Sequence, residues 1–136
     1  MLKGVILAIV AIFIAWSALD FVIHGMLLEE AYEATAHLWR PMQDMNVMLM
    51  HAVTLSVAIC FVLIYQACVT QKSICIGVKL GVLFGLAAGI MTASAYTYMP
   101  ISVSLAIHWF AGVFVEFVVA GWLVGLLVKS EESQIE

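Results

Sequence analysis

The chain has 136 residues, of which 65% are hydrophobic and 10% charged, with a formal net charge of −4. Soluble domains are about half apolar and about a quarter charged, so this composition excludes an ordinary soluble fold and, equally, a disordered chain. Five basic residues against nine acidic ones exclude a nucleic-acid binder.

Hydrophobic runs predict four membrane-spanning helices at about residues 2–28, 45–69, 74–99 and 101–128. Each exceeds the ~20 residues needed to cross the hydrocarbon core. The first run carries one lysine at its start and no small-residue cleavage site before Asp20, which predicts a retained helix rather than a signal peptide. Between the first two spans, Leu28, Tyr32, Thr35 and Trp39 alternate with Glu29, Glu33 and His37 at helical spacing. That pattern predicts an interfacial amphipathic helix over about 29–40, ended by Arg40-Pro41. The expected fold class is all-α: an integral membrane four-helix bundle, one transmembrane domain over 1–136, with a short interfacial helix between spans one and two.

Lys3, Lys72, Lys79 and Lys129 fall on one side of a four-span topology and Arg40 on the other. The positive-inside rule then places both termini in the cytoplasm of a cell whose inner, or plasma, membrane holds the chain. Cys60, Cys68 and Cys75 form no CxxC pair, and buried, inert thiols are expected. In span three, Gly77, Gly81, Gly85 and Gly89 recur every fourth residue, continued by Ala93, and Gly121 and Gly125 repeat the spacing in span four. A smooth face of this kind lets a neighbouring helix approach closely, within the bundle or across a homo-oligomer.

Ionisable groups are expensive in lipid, so the few present are the candidates for function. Asp20 and His24 lie one turn apart on span one, His51 lies on span two, and His108 and Glu116 lie two turns apart on span four. Counting 1.5 Å per residue puts Asp20 and His108 ~12 Å below the outer edge, His51 ~9 Å and His24 ~6 Å, with Glu116 deeper. Beyond Met1, all seven methionines fall in the outer half or the outer connection under this topology, and Met45, Met48 and His51 follow one another at i+3.

The favoured expectation is a non-enzymatic protein that binds or handles a metal ion at this layer. Its ligands would be His51, His108, Asp20 and His24, with Met48 and Met45 as soft donors. Imidazole and carboxylate suit zinc, iron or copper(II), while thioether with imidazole suits copper(I). One alternative is a structural or assembly partner in a larger membrane complex. Another is a small oligomeric proton or solute transporter, with Asp20, His108 and Glu116 as the relay or buried acids. A third is a haem b or quinone protein with His51 and His108 as axial ligands. Each histidine alone reads equally as a packing residue, and the methionines as gap fillers. Motifs for conventional catalysis are missing from the sequence: there is no GxSxG, no phosphate loop, no HExxH and no paired Glu-xx-His.

The string Leu-Asp-Phe-Val-Ile-His-Gly at 19–25, then Tyr32, then Leu-Trp-Arg-Pro at 38–41, resembles small four-helix bacterial inner-membrane proteins of unknown function. Gly81, Gly85, Tyr96, Pro100 and Glu116 before Gly121 are similar to them as well. The resemblance implies four spans with an acid on spans one and four, and it implies no activity.

Overall fold

The computed structural model describes residues 2–129, which form helices and turns with no strand among them. The helices are α1 (Leu2–Val22), α2 (Glu29–Ala34), α3 (Val47–Cys68), α4 (Ile74–Ala93) and α5 (Val103–Leu127). A π turn, Ile23–Leu27, prolongs α1, and a 3-10 turn, Ser94–Thr97, prolongs α4. Four helical stretches are therefore long and apolar enough to cross a membrane: Leu2–Leu27, Val47–Cys68, Ile74–Thr97 and Val103–Leu127. The expected single domain also took in Met1 and residues 130–136, which lie outside the described residues.

Local chemistry explains where the long helices begin. Each of α3, α4 and α5 starts one residue after an Asn or Ser whose side chain accepts a hydrogen bond from a first-turn amide. Asn46 accepts from Leu49 at 3.0 Å, Ser73 from Ile76 at 3.2 Å and Ser102 from Leu105 at 3.1 Å. Such caps satisfy one of the amides that the first turn leaves without a carbonyl. The connection between α3 and α4 is fastened by buried Tyr65. Its hydroxyl donates to the Ser73 carbonyl at 3.0 Å and accepts from the Ser73 amide at 2.9 Å.

Packing is set by the glycine face of α4. A Cβ built on Gly77 or Gly81 would collide with the carbonyl oxygens of Gly121 and Phe117 on α5, so the two backbones touch. Farther along, Gly85 lies against Phe114 and Gly89 against the Phe110 ring. In lipid this close approach, rather than the hydrophobic effect, supplies the attraction between helices. Helix α1 stands between α3 and α5. A first core joins Val5, Ala8, Ile12 and Trp16 of α1 to Ala58, Phe61, Val62 and Tyr65 of α3 and to Ala120 and Val124 of α5. A second core gathers Leu28, Ala95, Ile101, Leu105 and Ala106 beneath Tyr32, Trp39 and Trp109. The start of α3, from Asn46 to Val53, is exposed on every side.

Two expectations need correction. The interfacial helix does not run to residue 40. It ends at Ala34, and a 3-10 turn at Ala36–Leu38 follows. The Thr35 hydroxyl donates back to the Ala31 carbonyl at 2.7 Å and accepts from the Trp39 indole at 2.9 Å, which fixes the turn. Serine and threonine offer the backbone such local alternatives to a helix. His37 consequently leaves the helical stripe begun by Glu29 and Glu33. The three cysteines, expected to be buried, are all exposed on the outside of the helices. In a thin bundle most residues face outward, and a small apolar thiol is as compatible with hydrocarbon as with a core.

Candidate functional site

Several polar side chains of the apolar helices meet where α1 passes α5. Trp16, 4% exposed, donates its indole N–H to the backbone carbonyl of Glu116 at 2.7 Å and packs edge-on against Phe117. Two turns farther along α1, Ile23 rests against Gly112, where a Cβ would come within 3.2 Å of it. Asp20 lies between these two contacts and so faces α5. Its carboxyl comes within hydrogen-bonding reach of the Glu116 carboxyl. The buried Ser17 hydroxyl, three residues before Asp20, has no hydrogen-bond partner among the described residues.

From Asp20 the polar groups continue outward. His24 Nε2 lies 3.8 Å from Asp20 Oδ1, and His24 Nδ1 is 2.6 Å from the Tyr32 hydroxyl. That hydroxyl also accepts from the Trp109 indole at 2.7 Å. With the ring neutral, Tyr32 donates to Nδ1, and Nε2–H faces Asp20 across 3.8 Å, beyond direct hydrogen-bond distance. The π turn begins one residue before His24, and its closing bond runs from the Leu28 amide to the Ile23 carbonyl at 2.9 Å. Such single turns recur where a helix re-aims a side chain. Tyr32, Trp39 and Trp109 form an edge-to-face aromatic cluster that holds α2 on α5. Burial pushes the Tyr32 phenol above its ordinary value of 10.0, the Trp109 hydrogen bond opposes that, and the Asp20 charge adds to it.

The other candidates lie elsewhere. His51 is exposed and stands edge-on to Phe13 of α1 at 6.0 Å between ring centroids. His108 is exposed and anchored by Nδ1 to the Ser104 carbonyl at 2.7 Å, and it lines a cavity against α2. The two histidines expected as a matched pair thus occupy different surroundings, with α1 between their helices. Met48 is 82% exposed and Met91 74%, so neither thioether turns into the bundle, whereas Met45 is half-buried. Among the described residues, no three of His, Cys, Asp and Glu converge on a point able to hold a metal ion.

Of the expected site residues, Asp20, His24 and Glu116 are therefore brought together, while His51, His108, Met45 and Met48 do not join them. Tyr32, Trp16 and Trp109 belong to the arrangement without having been singled out as site residues. Tyr32 sits eight residues after His24. That spacing follows from two helical turns only if the chain stays helical past Gly25, which the π turn accomplishes. No protein-family model, curated protein or solved structure matches the chain.

Proposed function

We propose that the chain is a multi-pass protein of the inner membrane, both termini cytoplasmic, that takes up protons from the outer side through the string Tyr32–His24–Asp20–Glu116. The observation that carries this reading is the meeting of the Asp20 and Glu116 carboxyls, both half-buried, on the α1–α5 seam of an apolar bundle. Two carboxyls in contact form a hydrogen bond only if one keeps its proton to donate. The pair is therefore a proton-holding site, and His24 connects it to the interfacial Tyr32. Intramembrane acids paired in this way are characteristic of proton relays.

The string is one-sided. Toward the cytoplasmic end, the described residues of α1 and α4 carry Lys3, Cys75 and Lys79 as ionisable groups, all exposed. A proton loaded at Asp20–Glu116 thus has no fixed route inward, and release requires a shift of α1 against α5. Proton-coupled transport of a solute, by a small oligomer of this chain, fits that behaviour. Metal handling draws less support, because the imidazoles, Asp20 and the methionines do not converge.

Infrared spectroscopy of the full chain in nanodiscs tests the reading through the absorption of a protonated carboxyl. Wild type should show a band that shifts in deuterium oxide and vanishes in both Asp20→Asn and Glu116→Gln. In liposomes loaded with a pH-sensitive dye, an outward-acid step should acidify the lumen with wild type and not with either variant. A carboxyl band that survives in both variants, or dye responses equal to wild type, would overturn the proposal.

A further inference from the structure

The cavity beside His108 is separate from the carboxyl pair and independent of the proton reading. It has a volume of about 370 Å³ and lies between α2 and the first turns of α5, lined by Glu30, Ser102, Ser104, His108, Leu28 and Leu105 among others. That volume falls within the range of small-ligand sites, about 300–1,000 Å³.

Two of its polar side chains, Glu30 and His108, offer acceptors, and the Ser102 and Ser104 hydroxyls can donate or accept. The Ser104 carbonyl can only accept, so His108 Nδ1 carries the hydrogen at 2.7 Å from it. In the neutral ring Nε2 is then a lone pair. Ser102 Oγ accepts from the Leu105 amide and so caps the first turn of α5. The formal charge at the cavity is the Glu30 carboxylate, and α2 also carries Glu29 and Glu33 with no basic residue. The Glu30 carboxylate disfavours an anion here. Donors are favoured, and a cationic donor most of all. The apolar wall of Leu28 and Leu105 suits a short hydrocarbon.

We infer that this cavity binds a primary alkylammonium group, with its charge on Glu30, an N–H on His108 Nε2 and its hydrocarbon against Leu28 and Leu105. The same chemistry is offered by a soluble amine and by the aminoethyl headgroup of a lipid.

The test uses the full chain in phosphatidylglycerol nanodiscs, titrated with hexylammonium while the His108 ring resonances are followed. Hexanol, of equal chain length and without charge, should bind about tenfold more weakly or worse, as should hexylammonium to Glu30→Gln. Glu29→Gln, altering the neighbouring acid that does not line the cavity, should bind as wild type does. Adding phosphatidylethanolamine separates the sources. Competition with hexylammonium supports the site with a lipid headgroup as its occupant, and undiminished binding supports it with a soluble amine. Equal binding of hexanol and hexylammonium, or equal losses in Glu30→Gln and Glu29→Gln, would overturn the inference.

Discussion

The indole of Trp16 reaches across to the backbone carbonyl of Glu116, a residue 100 positions later, at 2.7 Å. That bond and the Phe117 contact fix the height of α1 against α5, and with it the meeting of Asp20 and Glu116. Trp16→Phe keeps an aromatic ring and removes the donor. Hydrogen bonds between membrane helices contribute about 0.6 kcal/mol on average and up to ~1.7 kcal/mol. Unfolding titrations in mixed detergent micelles should show a loss of that size. The carboxyl infrared band of the variant should broaden, because the pair loses its register.

The glycine face of α4 makes a sharper prediction. A methyl group at Gly81 meets the Phe117 carbonyl, and no side-chain rotation relieves a collision with backbone. Gly81→Ala should destabilise the bundle by about 1–3 kcal/mol, the range for overpacking, and Gly81→Leu should prevent α4 from docking on α5. Gly25→Ala is the control, since its added methyl would meet only ring atoms of Phe21, at 3.5 Å or more. Crosslinking between cysteines introduced on the two helices distinguishes docked from undocked pairs. Efficient crosslinking in Gly81→Leu would contradict the packing described.

Tyr65→Phe removes both hydrogen bonds to Ser73 while leaving the buried ring in place. Each is expected to contribute about 0.5–1.5 kcal/mol, so the loss should be about 1–3 kcal/mol. Hydrogen exchange at the Ser73 amide should quicken in the variant more than at the Leu49 or Leu105 amides, which capping side chains hold independently.

Alkali should release α2 from α5. Burial raises the Tyr32 phenol above 10.0, the Trp109 bond opposing and the Asp20 charge adding. The folded state then holds its proton at pH values where the unfolded state has lost it, so stability falls as pH rises. The Tyr32 contribution is complete below pH 10.0 and disappears as pH climbs through the raised folded value. Ultraviolet titration of Tyr32→Phe against wild type should show the missing phenol to be one that ionises late. A wild-type difference signal centred at or below pH 10.0 would refute the burial of this hydroxyl.

Some of this was legible in the sequence and some was not, for physical reasons. The four long apolar helices are written in hydrophobic runs, each long enough to cross a membrane. The α4–α5 contact is written in glycines every fourth residue, since that spacing keeps them on one helix face. Asp20 and His24 are neighbours by the same rule. The meeting of Asp20 with Glu116 is another matter. Counting residues from the outer edge set Glu116 deeper than Asp20, because a count carries no information about how far one helix slides along its neighbour. Packing of Trp16 and Ile23 decides that offset. The break at Thr35 was hidden for a different reason: it depends on a hydroxyl choosing a backbone carbonyl, and on an indole that arrives from Trp39.

The 100-residue gap between Trp16 and Glu116 also orders events during synthesis. At about 5–20 residues per second, α5 emerges roughly 5–20 s after α1. Through that interval Asp20 has no carboxyl partner and α1 no helix to accept its indole. The first long helix of this protein is thus a provisional tenant of its own fold, and its final position is decided by the last.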